Sequence, residues 1–259
     1  MAKVRENARY SEWTPTVFIR PIEYSSQLPF FYPPEDFPEL RVLSENWKEI
    51  RDEILRVEQE QGKLKGHKTY NTPPISSDEN WSNFYLDNFL WRSHRNRKMF
   101  PVTSSIVDKI PNCSLASISI LSPGGYVSPH YGDTDGIVRC HLGLVIPEEY
   151  PVCGIRVGGE ERGWKEGELL VFTEAHLHEV WNRSNQRRYI LIVDIVPGFM
   201  KTNLYKLCSQ VLGALSYIFI ERKFSIFRKL PMSFARFFHR VLSLLWRIYL
   251  PLQRALKLP

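Results

Sequence analysis

Apolar residues recur every three or four positions from Leu40 onward: Leu40, Leu43, Trp47, Ile50, Ile54 and Val57. That spacing puts them on one face of an amphipathic helix ending near Gly62. The helix is expected to lay this face on a sheet. Asp36 is placed to cap it, with Pro38 in its first turn. From Trp81 the pattern changes. WSNFYLDNFLW (Trp81 to Trp91) is aromatic and β-prone, SHRNRK reads as a basic loop, and Val102 to Ile110 as a short helix. LASISILS (115–122) alternates. In IVRCHLGLV (137–145), Val138, Cys140, Leu142 and Leu144 fall on one side, and Arg139, His141 and Gly143 on the other. CGIRVG, ELLVFT, HEVWNR and RYILIVDIV continue the run, separated by Gly, Pro and polar turns. No strand–helix–strand alternation interrupts 115–196. Short antiparallel strands in series imply a mainly β sandwich or jelly roll.

After Pro197-Gly198 the character changes. Leu207 to Ile220 is apolar but interrupted by Cys208, Ser209, Gln210 and Ser216. It is short for a bilayer span, which needs ~20 apolar residues. Met232 to Leu250 reads as a second helix. Arg236, Arg240, Arg247 and Arg254 form one stripe on it. Phe234, Phe237, Phe238, Val241, Leu242, Leu245 and Ile248 cover much of the rest. Such a helix either lies in a membrane interface or packs on the core with its charges in water. Three segments follow: an irregular arm at 1–29, a jelly-roll domain at 30–198 carrying the N-terminal helix and a polar loop from Lys63 to Asn80, and a basic amphipathic helical tail at 199–259.

Charge sharpens that division. The chain of 259 residues carries a net +6. Residues 201–259 hold 11 Lys/Arg and one acid, Glu221, or +10, which leaves 6 − 10 = −4 for the rest. A basic segment meets nucleic acid, anionic lipid or an acidic partner. An anionic membrane surface is the partner expected for 201–259, and no nucleic acid is expected. Cys113, Cys140, Cys153 and Cys208 have no paired spacing, which fits a reducing compartment and no disulfide framework. MAKVRENARYSEW lacks an apolar leader core. The expected location is the cytoplasm, with peripheral membrane association through the tail.

The candidate chemistry lies in SPHYGDTDGIVRCHLGL (128–144), which holds His130 and His141, with His178 in FTEAHLHEVWN and Arg188 in RRYILIVDI. Imidazoles with a strand-borne arginine suggest a metal site with an anion clamp. Neutral imidazole suits Fe(II) and Zn(II), and one recurring iron site uses two His and one carboxylate on one face. His130 and His178 can supply the imidazoles. The carboxylate would stand two residues after the first His, where this chain has Gly132. Asp133 and Asp135 are at the wrong offsets.

PHYGDTDGIVRCHLGLVIP and HEVWN…RRYILIVDI resemble the aspartyl/asparaginyl β-hydroxylase family, from about Phe30 to Val196 and most strongly from Ser119 to Asp194. The resemblance implies Fe(II)- and 2-oxoglutarate-dependent dioxygenase chemistry, with O2, on a double-stranded β-helix. It implies that His130 and His178 bind iron and that Gly132 matches a position where the acidic ligand is absent, so water completes the coordination. It implies that Arg188 pairs with the distal carboxylate of 2-oxoglutarate, helped by Ser119. Arg139 and His141 would face the same pocket and contact the cosubstrate, and Trp81 would line it. A planar guanidinium fork suits a carboxylate at any relevant pH. His176 and His67 carry no role, and Tyr131, Asp133 and Asp135 are expected at the pocket mouth.

The expected reaction is hydroxylation of an unactivated C–H bond, first the β-carbon of Asp or Asn in a peptide or amino acid. The alternative is a lipid acyl chain at a membrane surface, which the basic tail suits. A third reading is a non-catalytic jelly-roll binding module, against which the retained His130, His178 and Arg188 argue.

Overall fold

The computed structural model describes residues 15–18, 24, 27–61, 80–200 and 202–258. The expected helix end at Gly62, His67, the loop up to residue 79 and most of the arm lie outside the described residues.

Eleven strands are described: β1 (Phe31–Tyr32), β2 (Trp81–Asn88), β3 (Trp91–Arg92), β4 (Cys113–Leu121), β5 (Tyr126–His130), β6 (Val138–Val145), β7 (Cys153–Val157), β8 (Glu160–Arg162), β9 (Leu169–Phe172), β10 (His178–Asn182) and β11 (Arg188–Ile195). They form a seven-stranded sheet in the order β1-β9-β6-β11-β4-β2-β3 and a four-stranded sheet in the order β5-β10-β7-β8. Neighbours pair antiparallel, and the two sheets face each other as the expected jelly roll.

Strand alternation decides what lies between the sheets. Ile118 and Ile120 of β4, Cys140 and Leu142 of β6, and Leu191 and Val193 of β11 turn outward. They pack against Leu40, Leu43, Ile50, Ile54 and Val57. The opposite residues, Leu121, Ile190 and Ile192, meet Val127, Ile155, Val157 and Val180 of the smaller sheet. Period-two geometry therefore sends Ser119, Arg139, His141 and Arg188 into the sandwich.

The N-terminal helix departs from its expected form. Two 3-10 turns (Pro34–Asp36 and Pro38–Leu40) lead into α1 (Arg41–Glu45), and a break at Asn46 precedes α2 (Trp47–Gln61). The Asn46 side chain donates to the Val42 carbonyl at 2.7 Å, a local bond that competes with the helical ladder. Asp36 makes no cap. SHRNRK is also a helix, not a loop: α3 (His94–Met99), with Ser93 accepting from the Asn96 amide. Arg97 ties α3 to Asp87. The next helix, α4 (Pro101–Val107), is shorter than expected, and Glu53 of α2 accepts from its Val102 and Thr103 amides.

The C-terminal segment is a hairpin of α5 (Leu204–Lys223) and α6 (Met232–Leu256), joined through a 3-10 turn at Ser225–Lys229. His239 meets the Gln210 carbonyl at 2.8 Å, and Trp246 donates to Ser216 at 2.8 Å. The hairpin does not hang free. Leu207, Cys208, Val211, Leu212 and Leu250 join the inter-sheet core, and the buried Gln253 both accepts from the Arg92 amide and donates to the Arg92 carbonyl. No helix among the described residues is long and apolar enough to cross a membrane. All four cysteines are free thiols.

Candidate active site

His130 ends β5, and His178 begins β10. The two strands pair in a register that sets these residues opposite each other, and their ring centroids stand 4.1 Å apart. Each Nδ1 meets a backbone carbonyl two residues back, Ser128 at 2.8 Å for His130 and His176 at 2.9 Å for His178. A carbonyl only accepts, so each Nδ1 carries the proton and each Nε2 keeps its lone pair. Burial lowers the His130 pKa to about 4. It lowers that of His178 well below the usual range, with His130 adding to the effect. Both rings are therefore neutral at neutral pH, the form that binds a metal.

The cavity beside them is lined by Trp81, Ser119, Arg139, His141 and Arg188, with Val127, Val180, Ile190 and Ile192 as its apolar wall. All seven residues named from the sequence for metal and cosubstrate thus surround one space. Arg188 is 1% exposed, and its Nε and Nη1 have no hydrogen-bond partner. Burial lowers its pKa to about 10, and the guanidinium stacks 4.9 Å from the Trp164 ring. A buried cation with idle donors is a site short of an anion. Trp81 donates to Ser119 Oγ at 2.9 Å, which leaves the serine proton free to donate into the cavity. Trp164 donates to His141 Nδ1 at 3.3 Å, which puts the His141 proton on Nε2.

Arg139 lines the same cavity, but its guanidinium is engaged. Nε and Nη2 bind Asp194 at 2.8 and 2.7 Å, and Nη2 also pairs with Glu174. Burial opposes the Arg139 charge, and the two carboxylates more than offset it, raising its pKa.

Gly132 and Glu174 are closely related. A Cβ on residue 132 would stand 2.8 Å from Glu174 Cγ, Cδ and Oε1. The Gly132 amide donates to the Glu174 carbonyl. The room a side chain at 132 would need is occupied by another carboxylate, whose Oε1 is buried without a partner. Among the described residues no three His, Cys, Asp or Glu side chains converge as a metal cluster. The two imidazoles, each with a free Nε2, would fit a metal that has two protein ligands.

One expectation at the mouth changes. Asp135 is buried and accepts from the Thr16 amide at 2.6 Å and the Tyr24 hydroxyl, so it anchors the N-terminal arm. Burial raises Asp133 to about 6. His176 bonds the Leu28 carbonyl, a structural role. Sequence reasoning missed Trp164, Glu174 and Asp194. Only Asp194 left a signal, as an acid inside an otherwise apolar strand.

Paired neutral imidazoles and a buried arginine with idle donors thus stand together between the two sheets of a jelly roll. The model of the aspartyl/asparaginyl beta-hydroxylase family matches residues 44–197, and the chain belongs to that family. It is 35% identical over 170 residues to an ornithine lipid ester-linked acyl 2-hydroxylase of Rhizobium tropici, covering 65% of this chain and 60% of the relative. It is 38% identical over 161 residues to the human aspartyl/asparaginyl beta-hydroxylase, covering 60% of this chain and 21% of the relative. The human aspartate beta-hydroxylase domain-containing protein 2 is 30% identical over 207 residues, covering 74% and 54%. The chain thus spans less than two thirds of each of these relatives. A Pseudomonas putida prolyl-4-hydroxylase superposes with a TM-score of 0.40 at 14% identity, covering 75% of this chain and 97% of that one.

Proposed function

We propose that the chain is an Fe(II)- and 2-oxoglutarate-dependent dioxygenase that hydroxylates an unactivated C–H bond. The observation that carries this reading is the buried Arg188 guanidinium, whose Nε and Nη1 lack a hydrogen-bond partner, beside two neutral imidazoles. His130 and His178 would hold the metal through Nε2. The bound metal and cosubstrate would supply oxygen activation, coupled to decarboxylation of 2-oxoglutarate to succinate. Arg188 presents a planar fork to the distal carboxylate, and Ser119 adds a hydroxyl donor. His141 turns its Nε2 proton toward the same space. Val127, Val180, Ile190 and Ile192 keep the cavity dry, which strengthens each of these contacts.

For the substrate, we favour the acyl chain of a lipid over an aspartyl side chain. A buried carboxylate needs a cation. Arg139 and Arg188 are the cations lining the cavity. Arg188 is assigned to the cosubstrate, and Arg139 is already neutralised by Asp194 and Glu174. The relative named for acyl 2-hydroxylation supports this choice. A neutral asparaginyl β-carbon is the second reading, supported by the human relative.

The test is incubation with Fe(II), ascorbate, 2-oxoglutarate and either a bacterial lipid extract or Asn- and Asp-containing peptides. Succinate and a gain of one oxygen on an acyl chain are expected. Absence of succinate with every substrate would sink the dioxygenase reading, and oxygen gained on peptide alone would sink the lipid assignment.

A further inference from the structure

The two helical readings of the C-terminal segment turn out to describe different faces of one helix. On α6, Ala235, His239, Ser243, Leu250 and Gln253 are buried against α5 and the jelly roll. The opposite face carries Phe237, Val241, Leu244, Leu245, Ile248 and Leu252, all exposed, with Phe237 at 63% and Ile248 at 57%. These positions recur at three- and four-residue steps, so they form one continuous apolar stripe turned to solvent. Arg236, Arg240 and Arg247 run along one edge of that stripe, between it and the buried face. None of the three makes an ion pair among the described residues.

The turn end of the hairpin repeats this chemistry. Phe219, Phe224, Ile226 and Met232 are exposed there, interleaved with Lys223, Arg228 and Lys229. A water-facing apolar surface of this extent calls for an explanation in a folded protein. Its cationic border selects among occupants. A positively edged apolar stripe on a helix lying flat on the protein matches an anionic bilayer surface, where apolar side chains enter the acyl boundary and arginines stay at the phosphates. The segment's net +10 against −4 elsewhere orients the molecule the same way.

We propose that the outward face of the α5–α6 hairpin docks on an anionic lipid bilayer and sets the catalytic pocket beside it. The first turn of α5 makes the connection. Leu207 packs on Gly136, where a Cβ would stand 2.8 Å from Leu207 Cδ2, at the end of the loop that follows His130. Leu207, Cys208 and Val211 share a core with Val127, Ile190 and Ile192 of the cavity wall. Docking therefore fixes the loop at the metal end of the sandwich relative to the membrane. Its catalytic purpose rests on the acyl-chain reading, whereas the docking itself does not.

The experiment is vesicle co-sedimentation of the full chain, without iron or 2-oxoglutarate. The vesicles are phosphatidylcholine alone or mixed equally with phosphatidylglycerol. The expected result is binding at least 10-fold tighter to the anionic vesicles. Phe237→Asp/Leu244→Asp/Ile248→Asp should abolish binding, and Arg236→Glu/Arg240→Glu/Arg247→Glu should weaken it by 10-fold or more. The substituted side chains are solvent-exposed, so unchanged melting temperature and succinate formation check that the fold persists. Wild-type protein that stays in the supernatant overturns the proposal. So does a triple-aspartate variant that binds like wild type, or a concentration-dependent dimer that the aspartates dissociate, which would assign the face to a second copy. Vesicle binding without succinate formation would leave docking standing and remove the dioxygenase reading. Succinate formation without vesicle binding would do the reverse.

Discussion

The Glu174 carboxylate fills the space into which a side chain on residue 132 would grow. Glycine at 132 is therefore a packing requirement. Gly132→Ala should destabilise the protein by about 1–3 kcal/mol, the usual cost of overpacking. In a Glu174→Ala background the same change should cost almost nothing, because the obstructing atoms are gone. A thermal double-mutant cycle measures the coupling. Additive single effects would mean that the two positions do not compete for space.

Arg188 makes a second prediction, in which stability and function part. Its pKa drops from 12.5 to about 10 because the charge is buried without an anion. The folded state disfavours the proton, so the penalty is present in full below about pH 10 and eases only above it. The shift corresponds to a cost on the order of 3 kcal/mol. Arg188→Met should raise the melting temperature of cosubstrate-free protein, by about 2–4 °C per kcal/mol recovered. The same variant should lose 2-oxoglutarate binding by about 10- to 100-fold, as expected for charged hydrogen bonds of about 1.5–3 kcal/mol. Calorimetric titration with 2-oxoglutarate would refute the clamp if the variant bound like wild type.

Alternation made much of this legible in advance. In 137–145, the side holding Arg139 and His141 is the side that enters the sandwich, and the pocket gathers all seven residues named from the sequence. What escaped depends on tertiary contacts. The break at Asn46 comes from one side-chain bond to Val42, invisible to a periodicity of apolar residues. SHRNRK folds as α3 because Ser93 caps it and Asp87 holds Arg97. Trp164 stands in a polar stretch, and only the folded chain brings it against Arg188 and His141. On α6, sequence marked the arginine stripe, but only packing against α5 could sort the apolar residues into a covered and an open face.

The imidazole pair predicts metal dependence with a readout apart from turnover. Cobalt(II) should bind wild-type protein with stoichiometry near one and raise its melting temperature in a concentration-dependent way. His130→Ala and His178→Ala should each lose that stabilisation, and succinate formation with it. His176→Asn should keep both, because His176 is engaged by the Leu28 carbonyl, away from the pair. Retained cobalt stabilisation in His178→Ala would dismiss this residue as a ligand.

The buried histidines also set a pH dependence for the metal-free fold. Burial lowers the pKa of His130 to about 4, and lowers those of His141, His176 and His178 as well. The unfolded chain takes up these protons near pH 6.5, while the folded chain keeps His130, His141 and His178 neutral well below that, and His176 acts in the same direction. Stability is therefore complete above pH 6.5 and falls as the pH drops toward 4. Each histidine that remains neutral costs about 2 kcal/mol between pH 6.5 and 5. Glu174, raised by burial to about 8, works the other way, and so does Asp133. Burial raises its pKa to about 6, so the folded state gains its proton first and recovers about 1 kcal/mol over the same interval. His130, His141 and His178 outweigh these two acids, and the melting temperature of chelator-treated protein should fall between pH 7 and pH 5. Asp133→Asn removes one of the two offsets and should steepen the fall. A melting temperature that stays level or rises on acidification would show that the imidazoles take up protons inside the fold.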